Sequence, residues 1–227
     1  MKDKFFNIPL EKQNKIINSA LAEFAKNGYT KTSINDIAKS ADVSKASLFY
    51  YFNTKKELYL YLYEYCYDCY MKEVEKMLCS ETKDFFQLFL EHQHRRINLM
   101  KRHPEMFLFL NESDSNENDD ILNEVDIDKL ITRHPEIFSI TNGFNSNDDK
   151  ELNSDLKRLR KNFVDKLITS IINKSDMSKF KEDVDINILL DIMKWVTNGY
   201  MRKIINHEPI NTALDDYILF LKKSLYK

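Results

Sequence analysis

The fold of this chain is decided by residues 28–58, GYTKTSINDIAKSADVSKASLFYYFNTKKEL. This stretch contains two short helix patterns, a sharp stop, and the beginning of a long helix. The second short helix, residues 45–52, is about two turns long. It carries Lys45 and Tyr50 and is too polar and too aromatic for a helix that only packs. A short helix presented on a compact support is typical of insertion into the major groove of DNA.

Capping residues set the limits of these helices. Gly28 lies where a helix that ends at Asn27 needs a residue in the left-handed region. Ser33, Ser44 and Thr54 each precede an apolar-periodic run, as N-cap residues do, and Glu57 completes a capping box with Thr54. The helices predicted from this region span residues 10–27, 34–41, 45–52 and 55–79.

The composition favours an all-α protein. Three glycines and four prolines in 227 residues are too few for turn-dense β structure, and 43% hydrophobic residues can form a sizeable core. Apolar periodicity continues to the C-terminus, so we expect about nine helices or more. An acidic segment at 112–128 is predicted to be a loop or a frayed helix. The further helices are predicted at residues 82–102, 104–111, 148–175, 184–206 and 212–226.

The charge is unevenly distributed. Residues 1–60 hold ten lysines against six acidic residues, whereas the whole chain has a formal net charge of −2. This asymmetry is expected of a DNA-binding head on a body that does not bind DNA. We therefore predict a three-helix DNA-binding domain over residues 1–56 and a separate helical body over residues 57–227. The helix-turn-helix motif would span residues 33–52, and with the linking helix the unit would span residues 10–70.

The first quarter of the chain resembles the N-terminal domain of the TetR family of bacterial transcriptional repressors. The resemblance is specific in order and spacing. It implies a ligand-responsive repressor that binds a palindromic operator as a dimer in the cytoplasm and needs no cofactor. The residues that carry it are Gly28, Thr32, Ser33, Ile37, Ala38, Ala41, Val43, Ser44, Lys45, Leu48, Tyr50, Tyr51, Phe52, Lys55, Glu57 and Leu58.

Four positions depart from the family pattern. Asp42 replaces the turn glycine, but aspartate tolerates a left-handed backbone better than most residues do. Ala46 replaces a glycine and adds a methyl group that could meet a thymine methyl, and Ser47 keeps the hydroxyl of a threonine. Phe49 replaces a tyrosine that often donates to phosphate in the family, so this contact is expected to be lost.

The short helix at residues 45–52 is the predicted base reader. Lys45 lies at its N-terminal end and can donate to guanine O6 or N7. Polar side chains and helix N-termini nearby can reach phosphates or sugars. No arginine precedes Arg95, so specificity should rest partly on thymine methyls and DNA shape. The predicted DNA contacts are Thr32, Ser33, Ser44, Lys45, Ala46, Ser47, Tyr50, Tyr51, Thr54 and Lys55.

Apolar stripes on the last two predicted helices could pair two subunits. Two helices from each subunit would form an isologous four-helix interface. Alternatively, the stripes pack only within the monomer. A twofold dimer would set its two reading helices about one DNA turn, ~34 Å, apart and would require a palindromic site. The predicted interface residues are Leu189, Ile192, Trp195, Val196, Tyr200, Leu214, Tyr217, Ile218 and Leu221.

By the same resemblance, the body would enclose a pocket for a small apolar or amphipathic effector. Binding there would tilt the long helix that follows Thr54 and move the DNA heads out of register. Gln93 interrupts an apolar stripe and could supply a polar group inside the pocket. The alternative for each candidate is plain packing. The candidate pocket residues are Tyr61, Tyr65, Phe89, Gln93 and Trp195.

Other classes of function find little support. The chain shows no nucleophile–base pattern and no glycine-rich phosphate loop, so no enzyme is predicted. Cys66 and Cys69 share a helix face without a second ligand pair, which argues against a metal site, and three cysteines fit a reducing compartment. No signal peptide or membrane span is apparent. Two alternatives remain: a DNA-binding regulator controlled by a protein, for which the acidic segment could serve, and a helical interaction module that does not bind DNA.

Overall fold

The structure, a computed structural model, describes residues 3–113, 132–134 and 167–227. Within these residues the regular secondary structure is helical, and one isolated antiparallel bridge joins Phe180 and Tyr226. The predicted all-α class is confirmed. The helices are α1 (Asp3–Phe6), α2 (Leu10–Lys31), α3 (Ile34–Ser40), α4 (Lys45–Phe52), α5 (Lys55–Leu78), α6 (Phe85–Arg102), α7 (Pro104–Ser113), α8 (described over residues 167–174), α9 (Ile186–Ile205) and α10 (Leu214–Leu225), with a 3₁₀ turn at Met177–Lys179.

The predicted N-caps are confirmed. The hydroxyls of Ser33, Ser44 and Thr54 accept hydrogen bonds from the N–H groups three residues on, at 3.2, 3.0 and 3.0 Å. Asp42 has a φ of 55°, the left-handed conformation expected of a residue that replaces the turn glycine. The start of α6 was predicted too early, since Asp84 caps that helix by accepting from the N–H of Gln87 at 3.0 Å.

The first long helix is interrupted at Gly28, where its end was predicted, but helical structure resumes after that residue. Gly28 has a positive φ of 71°, but its ψ of 171° produces a kink and the helix continues to Lys31. The extra turn is stabilised by two hydrogen bonds from Thr32 to the residue at the kink. Its N–H and its hydroxyl both donate to the carbonyl oxygen of Gly28, at 3.2 and 2.7 Å.

Helix α1 was not predicted, and it completes the core of the head. Phe5 is fully buried, and its ring centroid lies 4.8 Å from that of Phe52 and 5.6 Å from that of Tyr61. The ring therefore joins the C-terminal end of α4 to the first turns of α5. A four-residue helix leaves too short a pattern for periodicity to detect.

Helix α7 connects the body to the head. The ring of Phe109 lies 5.0 Å from that of Tyr59 on α5 and 6.3 Å from that of Phe24 on α2, and all three rings are buried. The hydroxyl of Tyr59 donates to Ser113 at 2.8 Å. Because these rings are in contact, a displacement of α7 in the body would also displace α2 in the head.

Two predicted segments fall largely outside the described residues. Most of the acidic segment 112–128 does so, and so does the predicted helix at 148–175 before residue 167. Between them, Arg133 and His134 pack against α5. Arg133 donates to Asp68 at 2.6 Å, and the ring nitrogens of His134 lie 2.7 Å from a carboxylate oxygen of Glu75 and 3.3 Å from one of Asp68.

Candidate DNA-reading surface and effector cavity

Helix α4 exposes one polar face and buries the other. Ser44, Lys45, Ala46 and Tyr50 are exposed, while Leu48 and Phe52 are buried in the head. The ammonium of Lys45 lies 5.8 Å from the ring centroid of Phe49, so it stays on the outer side of the helix. The exposed face includes Lys45 and Ala46 at the N-terminal end of α4, the end that reads bases in helix-turn-helix proteins.

Lys4 is a further member of this surface that was not predicted from the sequence. Its ammonium lies 4.1 Å from the centroid of the Tyr50 ring, which places a further positive charge beside the exposed face of α4. Lys4 reaches this position because α1 packs against α4. The lysines near the N-terminus were visible in the sequence, but their location depends on that packing.

Two predicted contact residues face inward. Tyr51 is only 7% exposed, and its ring centroid lies 5.9 Å from that of Phe5. The hydroxyl of Thr32 donates to carbonyl oxygens of α2, and its N–H does the same, so both are engaged within the protein. Both residues support the head and are withdrawn from the set of proposed DNA contacts.

Lys55 is also placed differently from the prediction. Its ammonium donates to the carbonyl oxygens of Tyr29 and Thr32 at 2.8 and 3.1 Å, and it lies 4.4 Å from the centroid of the Tyr29 ring. Burial lowers the pKa of Lys55. A lysine at the C-terminal end of a helix satisfies the last carbonyls. Lys55 thus fastens the start of α5 to the end of α2 and positions the head on the body.

The last two helices present an apolar outer face, which we define as Ile188, Ile192, Trp195, Gly199, Tyr217 and Phe220. Trp195 is 71% exposed and Phe220 is 69% exposed. Its members on α9 follow the spacing i, i+4, i+7, i+11 of one helix face. A Cβ atom built on Gly199 would meet no other heavy atom within 4 Å, so a second helix can approach closely there.

Three of the predicted interface residues are instead core residues of the subunit. Leu189, Leu214 and Ile218 are buried, because their sides of α9 and α10 face the body. The alternative that the stripes pack within the monomer is therefore correct for these three. The remaining predicted members are exposed or half-buried, and they are Ile192, Trp195, Val196, Tyr200, Tyr217 and Leu221.

A cavity of about 290 Å³ lies among helices α5 to α9. Phe89 and Gln93, two of the five predicted pocket residues, line it. Tyr61 packs against Phe5 and Phe52 in the head, Tyr65 lies one turn further along α5, and Trp195 belongs to the outer face. The lining residues are Tyr67, Tyr70, Phe89, His92, Gln93, Arg96, Phe107, Leu110, Asn111, Leu167, Ile168, Ile171, Leu190, Lys194, Thr197 and Asn198.

A buried polar network forms one wall of the cavity. The amide N–H of Gln93 donates to Nδ1 of His92 at 3.1 Å, so this nitrogen is an acceptor and the imidazole is neutral. The opposite nitrogen of His92 lies 2.9 Å from the Tyr70 hydroxyl. Burial and the nearby charge of Arg96 lower the pKa of His92 to about 3. The amide oxygen of Gln93 has no hydrogen-bond partner in the described part of the chain.

This low pKa predicts a pH-dependent stability. The ordinary pKa of the imidazole is 6.5, so between pH 6.5 and 3 the unfolded chain binds a proton at His92 that the folded chain does not. Stability is therefore complete above pH 6.5 and decreases by about 1.4 kcal/mol for each unit below it. Urea unfolding of His92→Gln should show a flatter decrease between pH 7 and pH 5 than the wild type.

Neither cysteine of the predicted pair is set up as a reactive thiol. Burial, and to a lesser degree Cys69, raises the pKa of Cys66, and burial also raises the pKa of Cys69. Both thiols are thereby kept in the less reactive protonated form. Among the described residues, no group of three or more His, Cys, Asp or Glu side chains could hold a metal ion, and no helix is both long and apolar enough to cross a membrane.

Comparison with known proteins agrees with this architecture. Residues 16–62 match the family described as bacterial regulatory proteins, tetR family. The biofilm operon icaADBC HTH-type negative transcriptional regulator IcaR of Staphylococcus aureus (strain Newman) is 43% identical over 56 residues. This match covers 25% of this chain and 30% of the relative.

Solved structures extend the similarity to the whole fold. A TetR family regulator from Marinobacter aquaeolei VT8 has a TM-score of 0.59 at 15% identity, with 95% of this chain and 96% of that chain covered. The TetR family regulator PfmR from Thermus thermophilus has a TM-score of 0.55 at 16% identity, with 92% and 94% covered. Residues 16–62 therefore form a helix-turn-helix domain of the TetR type, and the described fold is similar to that of TetR family regulators.

Proposed function

We propose that this protein is a ligand-responsive repressor that binds a palindromic operator as a homodimer. The observation that carries the proposal is the exposed face of α4, which presents Lys45 and Tyr50 while Leu48 and Phe52 are buried in the core of the head. Repression is supported by IcaR, which is named a negative transcriptional regulator. The proposed contacts are Lys4, Ser33, Ser44, Lys45, Ala46, Ser47, Tyr50 and Thr54.

The outer face of α9 and α10 supports the dimer. An exposed tryptophan and phenylalanine on neighbouring helices form the kind of apolar patch that marks a protein–protein interface. A twofold axis through this face would pair α9 and α10 with the same helices of a second subunit. One short reading helix contacts few base pairs, so two helices on successive grooves are needed for specific binding.

Helix α7 supplies the route from the cavity to the head. Phe107 and Leu110 line the cavity, while Phe109 between them packs against Phe24 and Tyr59. A ligand that displaces α7 or α5 would shift α2 and α4 and change the spacing of the two heads. The ligand regulates only to the extent that it prefers the spacing that does not bind DNA.

Replacing Lys45 tests the reading helix. Lys45→Ala should weaken specific operator binding by about 1–3 kcal/mol, because a base contact in the major groove is lost. The measurement is a footprinting titration on the DNA upstream of the protein's own coding region, at a fixed salt concentration. The matched control is Lys26→Ala, an exposed lysine of α2 outside the proposed set of contacts, and it should bind as the wild type does. Equal, sequence-independent binding by the wild type and Lys45→Ala would contradict the proposal.

A further inference from the structure

The cavity has a positive electrostatic character. Arg96 and Lys194 line it, and none of its described lining residues is acidic. Lys194 is exposed at the mouth and Arg96 is half-buried within. Neither forms an ion pair with a carboxylate in the described part of the chain, whereas the neighbouring Arg95 is paired with Glu73 at 3.7 Å. Two cations in this setting, beside an apolar space, favour an anionic group of a ligand.

The rest of the cavity is apolar and small. Rings and aliphatic side chains from three helices face one another across it, among them Phe89, Phe107 and Ile171. Its volume of about 290 Å³ lies at the lower limit of small-molecule sites, which span ~300–1,000 Å³. This space suits a short apolar body rather than a large cofactor.

Gln93 provides an independent sign that the cavity is built for a ligand. The side chain is only 4% exposed and lines the cavity, yet its amide oxygen has no partner among the described residues. A buried acceptor without a partner destabilises the protein, and a water enclosed in the cavity beside a ligand would satisfy it. The neighbouring His92 cannot do so, since its Nδ1 already accepts from the same amide group.

We propose that the cavity binds a small monoanionic amphipathic molecule. Its negatively charged oxygen atoms would lie at Arg96 and Lys194, and its apolar body would lie among Phe89, Phe107 and Ile171. A regulatory role for this ligand rests on the proposed function, whereas binding of the ligand to the cavity can be measured without DNA. It narrows the effector from any small apolar or amphipathic compound to one that carries a negative charge.

A matched set of probes tests the charge preference. Octanoate, 1-octanol and octylammonium share an eight-carbon chain and differ in the charge of the head group. Isothermal titration calorimetry on the full chain, below the micelle concentration of each probe, should show octanoate binding at least about tenfold more tightly than either other probe. Equal or tighter binding of octylammonium, or no binding of any probe, would overturn the proposal.

Variants locate the anion. Arg96→Gln and Lys194→Gln should each weaken octanoate binding several-fold, and the double variant should remove the preference over 1-octanol. Arg96→Lys keeps the charge and should retain most of the affinity, which separates an electrostatic role from loss of folding. The matched control Lys203→Gln, on the exposed last turn of α9 outside the cavity, should bind as the wild type does. If the double variant still prefers octanoate over 1-octanol to the same degree, the inference is contradicted.

The two proposals fail in different assays. If octanoate binds with the expected charge preference but the protein protects no palindrome in footprinting, the ligand class stands and the proposed function is wrong. If the palindrome is protected in a manner that depends on Lys45 but the calorimetry shows no preference for the anion, the proposed function stands and the ligand class is wrong.

Discussion

Trp195→Glu is expected to convert the protein to a monomer and to weaken operator binding by about 10²–10⁴-fold. The indole lies at the centre of the outer face and is 71% exposed in the single subunit. In the proposed dimer it would be buried, so a carboxylate at this position would be desolvated without a partner. A monomer keeps only one reading helix and loses the gain from simultaneous contact with two half-sites.

Sedimentation equilibrium gives the oligomeric state, and titration of the footprinted palindrome gives the affinity. The matched control is Leu108→Glu on α7, which places the same charge on an exposed apolar residue outside the outer face and should leave the dimer intact. Phe220→Glu on α10 should repeat the effect of Trp195→Glu. A Trp195→Glu protein that remains a dimer would show that the interface lies elsewhere.

Phe109→Ala should lower the free energy of unfolding by about 3–5 kcal/mol. The ring is fully buried between Phe24 of the head and Tyr59 of α5, so truncation leaves a cavity at the joint between the two parts. Urea unfolding followed by circular dichroism measures the loss. Phe109→Leu, which keeps most of the volume, should cost clearly less, and Phe6→Ala, at a half-exposed ring, should change the free energy by ~1 kcal/mol or less.

The position of Phe109 gives the same variants a functional consequence. Phe109→Leu should fold and bind operator, yet respond less to a cavity ligand, because the contact that transmits displacement of α7 to α2 is weakened. This comparison needs a ligand that releases the wild-type protein from the footprinted palindrome. A Phe109→Leu protein with an unchanged ligand response would show that the signal travels along α5 alone.

Local chemistry made the helices of the head predictable. Ser33, Ser44 and Thr54 act on groups three residues away, so their caps follow from the sequence alone, and α4 begins and ends at the predicted residues. The left-handed turn at Asp42 is equally local. The kink at Gly28 is less so, because the hydrogen bonds of Thr32 carry α2 beyond it. The sequence alone therefore suffices to identify α4 as the candidate base reader.

The roles that remained open depend on contacts between distant parts of the chain. The ammonium of Lys55 donates to backbone carbonyl oxygens that precede it by more than twenty residues. Tyr51 packs against Phe5, which lies in a helix too short to predict. A helical repeat of 3.6 residues shows that Leu189 and Trp195 lie on apolar faces, but not which face the body covers.

By itself, the sequence determined the helix-turn-helix head, because helix periodicity and caps are short-range properties. The tertiary structure decided which apolar stripe remains outside, which residues surround the cavity, and that two cations without a carboxylate partner among the described residues line it. The physical reason is that burial and electrostatic pairing depend on which helices meet in space, and residues far apart in the chain decide that.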